Sequence, residues 1–94
     1  MHYMYLIQHE PSGELYIGET HDLAHRLSAH NSGKNVSTRR TDGKWSYVYV
    51  EVYRAKADAL MREKRLKTHG TAKYALLKRI KHSLLQPKIR EGRS

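Results

Sequence analysis

Residues 3–20 read YMYLIQHEPSGELYIGET, and this stretch decides the fold of the chain. Apolar and aromatic residues dominate residues 2–8, and the same pattern returns over residues 14–19. Short runs of this kind, separated by a Pro, Ser and Gly cluster, are typical of two strands joined by a turn. The sequence therefore predicts an N-terminal β-hairpin.

The length of the turn decides on which faces the two tyrosines of the hairpin lie. Successive side chains of a strand lie on opposite faces of a sheet. A four-residue turn, over residues 9–12 or residues 10–13, places Tyr5 and Tyr16 on the same face, whereas a three-residue turn separates them. Gly18, on the same side of its strand as Tyr16, is expected to leave room for a backbone or a phosphate.

The rest of the chain shows helical and strand-like patterns in turn. Thr20 is expected to cap the first helix and Thr71 the last, while Gly70 ends the middle helix and Pro87 stops the last one. The expected elements are a helix (20–30), a polar loop (34–44), a strand (45–53) and two helices (55–69 and 71–85).

This order of elements predicts an α+β fold. Its simplest form is a three-stranded antiparallel sheet flanked by helices, in the order β-β-α-β-α-α. Residues 1–86 are expected to form one domain, and residues 87–94 a basic and flexible tail.

The composition favours nucleic acid as a partner. The 18 Lys and Arg residues against 9 Asp and Glu give a net charge of +9 and a pI of about 10.0. A small basic domain without a membrane-length apolar run suggests nucleic acid before membranes, although a solvated basic surface has the same composition. The absence of Cys excludes disulfides and thiolate chemistry, and without a secretory signal at the N-terminus we expect a cytoplasmic protein.

The first predicted helix has polar side chains on the face that should pack on the sheet. One helical face, spaced i, i+3, i+4 and i+7, consists of Leu23, Arg26, Leu27 and His30. Burial of a guanidinium without a partner is costly. Arg26 therefore either pairs with a carboxylate, for which Glu63 is the candidate, or binds an anionic ligand.

The middle helix has a carboxylate on its inward face. Its apolar stripe consists of Ala59, Leu60, Glu63, Leu66 and Lys67. A carboxylate in that position is either paired with a cation or a metal ligand.

Together these residues have the chemistry needed to cleave a phosphodiester. A carboxylate can hold a divalent cation, an arginine can neutralise a phosphate, and a tyrosine can take a proton from water. The members in this chain are Tyr5, Tyr16, Arg26, His30 and Glu63.

The order and spacing of these residues resemble the GIY-YIG family of endonuclease domains over about residues 3–77. The resemblance is strongest to the small stand-alone branch related to the N-terminal nuclease domain of the excision-repair subunit UvrC. At the first motif Tyr3 and Met4 replace the family's glycine and isoleucine, but Tyr5 is retained. The motifs that carry the resemblance are Tyr16-Ile17-Gly18-Glu19-Thr20, Arg26-Leu27, His30-Asn31-Ser32-Gly33 and Arg62-Glu63-Lys64.

The resemblance implies a divalent-metal-dependent endonuclease that hydrolyses DNA, and the branch suggests a role in DNA repair. Glu63 would hold one Mg²⁺ or Mn²⁺ ion, and Arg26 would neutralise the developing charge. One tyrosine, preferably Tyr5, would act as general base, while the other, Tyr16, would position a phosphate oxygen. His30 would pass on the proton of the tyrosine, whose ordinary pKa is about 10.

Other cationic side chains are candidates for contacts with nucleic acid. They are Lys34, Arg39, Arg40 and Lys44 in the polar loop and Lys67 in the middle helix. Two further functions stay open at this point. One is a nucleic-acid-binding module that does not cleave, and the other is a protein that acts on RNA.

Overall fold

The predicted α+β architecture is confirmed by a computed structural model, which describes residues 1–86. The predicted tail, residues 87–94, lies outside the described residues. The elements are β1 (His2–His9), β2 (Leu15–Thr20), α1 (Leu23–Asn31), β3 (Trp45–Tyr53), α2 (Lys56–Thr68) and α3 (Gly70–Arg79), with a 3₁₀ turn at Val36–Thr38. The strands form one antiparallel sheet in the order β2-β1-β3. Among the described helices, none has the length and apolar character needed to cross a membrane.

The hairpin has the register that places its two tyrosines together. Tyr5 lies opposite Gly18, and Ile7 lies opposite Tyr16. The turn consists of four residues, 10–13, and the His9 amide donates to the Glu14 carbonyl at 2.8 Å. The prediction that a four-residue turn places both tyrosines on one face is confirmed.

The middle strand, β1, is buried on both faces, and helices cover each side. Residues 4–9 of this strand are all buried. On one face Tyr5, Ile7 and Trp45 form a cluster, against which Leu23 and Leu27 of α1 pack. On the other face the cluster consists of Met4, Leu6, Ile17, Leu66 and Leu76. The sheet is thus held between α1 and the α2–α3 pair.

An irregularity in β3 divides its tyrosines between the two faces. The pairing with β1 shifts between Leu6, which lies opposite Tyr49, and Ile7, which lies opposite Tyr47. The extra residue of this bulge is Val48. Tyr47 therefore packs beside the Tyr5 ring, with centroids 5.5 Å apart, while Tyr49 joins the opposite cluster.

The predicted cap of the first helix was wrong by two residues. Thr20 ends β2, and the Asp22 side chain caps α1 by accepting from the His25 amide at 3.0 Å. The Thr20 hydroxyl instead accepts from the Asp22 amide at 3.0 Å. Thr20 thus orients the capping residue and does not cap the helix itself.

The junction of the last two helices also differs from the prediction. Gly70 does not end α2 in a left-handed conformation; it is the first residue of α3. Thr71 does not cap α3, because the extended residue His69 alone separates the two helices. The last helix ends at Arg79, six residues before its predicted end at Leu85, and Ile80 occupies the C-cap position.

Gly18 is required by the Tyr5 ring and not by a ligand. A Cβ atom built at Gly18 would collide with the hydroxyl end of that ring. The space that we expected a backbone or phosphate to use is therefore filled by a side chain of the neighbouring strand.

Gly18→Ala is expected to lower the free energy of unfolding by about 1–3 kcal/mol, because overpacking forces the buried ring to move. Gly70→Ala is the matched control, since a Cβ there meets nothing within 4 Å. That change should shift the free energy by no more than about 1 kcal/mol, in the stabilising direction expected for a helix. Urea unfolding monitored by circular dichroism measures both values, and equal stability of the two variants would contradict the close contact.

Candidate active site

Tyr5, Tyr16 and His30 meet on the face of the sheet that α1 covers. The Tyr5 hydroxyl lies 2.8 Å from His30 Nε2. The two side chains are buried, with 0% and 1% exposure. The Tyr16 ring centroid is 6.5 Å from that of Tyr5 and 5.1 Å from that of His30. The structure thus brings together three of the predicted site residues from β1, β2 and the last turn of α1.

Thr38 completes the surroundings of His30 from the opposite side. Its Oγ1 lies 2.7 Å from His30 Nδ1, and its side chain has no exposed surface. The Trp45 indole donates to the Thr38 carbonyl at 2.8 Å, which fixes the 3₁₀ turn against β3. Thr38 was not predicted as a site residue, because a single threonine in a loop without periodicity gives no local signal.

Arg26 is half-buried and has no acidic partner in the described chain. Ion pairs within residues 1–86 involve other residues, so the alternative of an Arg26–Glu63 ion pair is not realised there. The positive charge of Arg26 lowers the pKa values of Tyr5, Tyr47 and His30, so the guanidinium lies close to these three side chains. An unpaired guanidinium of this kind is suited to an anionic ligand.

Burial keeps Tyr5, Tyr47 and His30 in their neutral forms. It raises the pKa of Tyr5 well above its ordinary value, although the neighbouring Arg26 opposes the rise. Burial likewise raises the pKa of Tyr47 to about 12. Burial and the charge of Arg26 both lower the pKa of His30. At neutral pH the hydroxyls of Tyr5 and Tyr47 are therefore protonated, and the His30 imidazole is neutral.

Tyr47 is a second residue of this face that was not predicted as a site residue. Its hydroxyl donates to the Leu23 carbonyl at 2.5 Å, in the first turn of α1. The bulge in β3 directs it to this face, and no pattern in the sequence predicts that bulge. Tyr47 thus joins β3 to the helix that carries Arg26 and His30.

Glu63, on α2, is linked to Tyr16 by the side chain of Lys67, which contacts both residues. Its Oε2 accepts from Lys67 Nζ at 2.7 Å, and its side chain is only 19% exposed. Lys67 Nζ lies 5.5 Å from the centroid of the Tyr16 ring. Glu63 is therefore connected to Tyr16, at the β2 edge of the sheet, through the Lys67 side chain. Leu60, which was predicted on the same inward stripe, is 42% exposed, so that part of the stripe was wrong.

The surroundings of Glu63 fit a cation that is shared with a substrate. Its Oε1 makes no hydrogen bond within residues 1–86. In the same range no cluster of three or more His, Cys, Asp or Glu side chains could hold a metal. Mg²⁺ commonly takes one or two carboxylates and completes its shell with water and phosphate oxygens. One carboxylate with a free oxygen atom is compatible with that mode of binding.

The basic loop residues are divided between internal contacts and solvent. Arg40 donates to both oxygens of Glu14, at 3.0 and 3.1 Å, and its guanidinium carbon lies 5.5 Å from the Trp45 ring centroid. Arg39 Nε donates to the Gly33 carbonyl at 2.9 Å. Lys34 and Lys44 are exposed. A role of these residues in binding nucleic acid stays a prediction.

Comparison with known proteins identifies relatives of the chain. Residues 1–75 match the family model of the GIY-YIG catalytic domain. The chain is 39% identical over 67 residues to a UPF0213 protein of Bacillus pumilus, covering 71% of this chain and 67% of that protein. It is 32% identical over 72 residues to a UPF0213 protein of Staphylococcus saprophyticus, covering 77% and 87%. No solved structure matches the chain.

The family match extends from β1 into α3 and so includes the tyrosine–histidine cluster and Glu63. The confirmed fold has the three antiparallel strands and flanking helices that the sequence motifs implied. The chain belongs to the GIY-YIG catalytic domain family, a family of nucleases.

Proposed function

We propose that the protein is an endonuclease that hydrolyses phosphodiester bonds of DNA with the help of a divalent cation. The observation that carries the proposal is the half-buried Arg26, which has no carboxylate partner within residues 1–86 and lies in the same cluster as Tyr5 and His30. A cationic group beside hydroxyl and imidazole groups can stabilise the negative charge that develops on a phosphate during cleavage.

The charge of the whole chain supports a nucleic-acid substrate. A net charge of +9 on 94 residues attracts a polyanion before any specific contact forms. Binding through phosphate contacts weakens as salt rises, since each neutralised phosphate releases counterions. The exposed Lys34 and Lys44 of the loop are the proposed outer contacts.

Tyr5 is the proposed general base, because its own proton has an acceptor. Its hydroxyl lies 2.8 Å from His30 Nε2, so Tyr5 can take a proton from water while its proton passes to the imidazole. This transfer avoids a free phenolate, which the buried position disfavours. Tyr5 has no exposed surface, so a side chain that covers its hydroxyl has to shift as water and the phosphate enter.

Tyr16 is proposed to position a phosphate oxygen. Its side chain is half-buried, and its hydroxyl makes no hydrogen bond within the described residues. A free hydroxyl at the β2 edge is available to donate to a substrate. Arg26 is proposed to stabilise the charge that develops on the phosphate, for which its planar guanidinium is better suited than an ammonium.

Glu63 is proposed to hold the cation, either Mg²⁺ or Mn²⁺. The bound cation would supply charge neutralisation of the scissile phosphate. Within the protein, Glu63 would have to share or release Lys67, which donates to Oε2 at 2.7 Å. The ammonium of Lys67 then lies beside Tyr16, where it can contact a phosphate.

Arg26→Ala is expected to lower kcat by on the order of 10²- to 10³-fold while DNA affinity changes little, because the lost group acts where charge develops. Arg54→Ala is the control, since it removes one positive charge from an exposed residue after β3, at the opposite edge of the sheet from β2. Arg26→Lys should restore little activity. Cleavage by folded Arg26→Ala at the rate of the Arg54→Ala control would contradict the role.

Tyr5→Phe is expected to reduce kcat by on the order of 10²- to 10⁴-fold, the usual contribution of a general base, with KM close to that of the wild type. Tyr16→Phe should mainly raise KM and leave the melting temperature unchanged, because its hydroxyl has no partner in the described fold. Tyr74→Phe, at a residue 69% exposed on α3, is the control. Steady-state kinetics and thermal melting are measured, and full activity of both site variants would refute the tyrosine roles.

Glu63→Gln is expected to abolish cation-dependent cleavage, because the amide keeps the shape of the side chain and loses its charge. DNA binding should be equal or tighter. Asp58→Asn removes the same charge from an exposed residue in the first turn of the same helix and is the matched control. Labelled single-stranded, duplex and branched DNA are incubated with Mg²⁺, Mn²⁺ or EDTA.

Two outcomes of this experiment would overturn parts of the proposal. Cation-dependent cleavage by folded Glu63→Gln would contradict the metal assignment. Binding of every DNA by the wild-type protein, without cleavage of any, would favour a nucleic-acid-binding module instead.

A further inference from the structure

Three buried polar side chains form a continuous series behind the candidate site. Tyr5, His30 and Thr38 are each at most 1% exposed. Their contacts are 2.8 Å from Tyr5 Oη to His30 Nε2 and 2.7 Å from His30 Nδ1 to Thr38 Oγ1. The series begins on the middle strand and ends in the 3₁₀ turn at Val36–Thr38.

The acceptors available to these groups decide where the protons lie. Within residues 1–86, His30 Nε2 is the acceptor beside the Tyr5 hydroxyl, since the neighbouring Arg26 offers donors alone. Tyr5 must therefore donate to Nε2, because a buried O–H without an acceptor is costly. Since the pKa of His30 is lowered by burial and by Arg26, its ring is neutral and carries its one proton on Nδ1.

Thr38 is placed to accept that Nδ1 proton. A threonine hydroxyl has one hydrogen, and the Asn35 carbonyl, 3.4 Å from Thr38 Oγ1, is in position to take it. The Thr38 backbone is fixed at both ends, since its amide donates to the Asn35 carbonyl and its carbonyl accepts from the Trp45 indole. The hydroxyl is therefore held in one place by the fold of the loop.

We propose that Thr38 is a positioning residue, whose hydroxyl holds His30 in the tautomer that leaves Nε2 free for the proton of Tyr5. The proposal rests on the proposed function, because it assigns Thr38 a part in the same proton transfer. In that transfer a water proton moves to Tyr5 Oη as the Tyr5 proton moves to Nε2. The resulting hydroxide bonds to phosphorus while the leaving P–O bond breaks, and His30 later returns the proton to solvent or product.

Loss of the Thr38 hydroxyl alone tests this role. Thr38→Val keeps the volume of the side chain and removes the acceptor, while Thr38→Ser keeps the hydroxyl and removes a methyl group. Ser37→Ala is the control, because it removes an exposed hydroxyl from the same turn. All variants are compared by melting temperature so that the assays use folded protein.

Long-range ¹H–¹⁵N correlation spectra of the His30 ring report the tautomer without substrate. The proton is expected on Nδ1 in the wild type, Ser37→Ala and Thr38→Ser. In Thr38→Val it should divide between both nitrogens, because a proton on Nδ1 would lack its acceptor while a proton on Nε2 would leave the Tyr5 hydroxyl without one. On cleavable DNA, Thr38→Val should lower kcat by on the order of 10- to 100-fold, by analogy with the loss of a hydrogen-bond partner that orients a metal-bound histidine. DNA affinity should not change, and Thr38→Ser should recover most of the loss.

The two readouts separate this proposal from the proposed function. A proton on Nε2 in the wild type, or an unchanged tautomer in folded Thr38→Val, would overturn the role of Thr38 even if the protein cleaves DNA. A shifted tautomer with an unchanged kcat would overturn its role in the reaction. If no protein cleaves DNA while the tautomers behave as expected, the proposed function fails and the hydrogen-bond assignment of Thr38 is supported.

Discussion

The hydrogen bond between Tyr5 and His30 is the interaction on which the site depends. It joins the middle strand to the last turn of α1 inside the protein, 2.8 Å between the two atoms. A buried phenol and a buried imidazole would each be costly without a partner. Two features of the fold make the contact possible. Gly18 leaves space for the Tyr5 ring, and the four-residue turn of the hairpin sets the register that places Gly18 opposite it.

The features that were predicted from the sequence are those that local patterns determine. Turn length determined that Tyr5 and Tyr16 share a face, and helical spacing placed Arg26 and His30 together on α1. Thr20 was wrong as a cap because two residues, Thr20 and Asp22, have side chains able to cap a helix. The structure uses Asp22, since the strand continues to Thr20.

The features that were missed depend on contacts distant in sequence. The bulge at Val48 arises from pairing with β1, more than 40 residues away, so Tyr47 could not be assigned to the site. Thr38 lies in a loop whose conformation is fixed by Trp45 and Asn35, and its contact with His30 follows from that conformation. Leu60 was predicted to be inward because helical spacing alone cannot say how wide the buried stripe is.

Arg26 is half-buried and has no acidic partner within residues 1–86. Each glutamate of residues 1–86 has a partner, in the pairs Glu10–Ser46, Glu14–Arg40, Glu19–His2, Glu51–Arg62 and Glu63–Lys67. In a protein of net charge +9 most cations must lack an acidic neighbour, and on the surface water solvates them. Arg26 is half-buried, so water replaces a partner less well there, and an anion that binds beside it removes that cost.

Because core residues form the site, the chemistry of the site and the stability of the fold depend on the same side chains. A domain of this size has one small core, and here Tyr5 belongs to that core while it also takes part in the hydrogen-bonded series with His30 and Thr38. Truncation of any member would leave a buried polar atom unpaired and open a cavity at once. Loss of activity in such a variant cannot by itself identify a catalytic group. Changes that remove one atom or one charge and preserve shape, at Tyr16 and Glu63 above all, separate the two effects because these side chains are partly exposed and lie outside the series of Tyr5, His30 and Thr38.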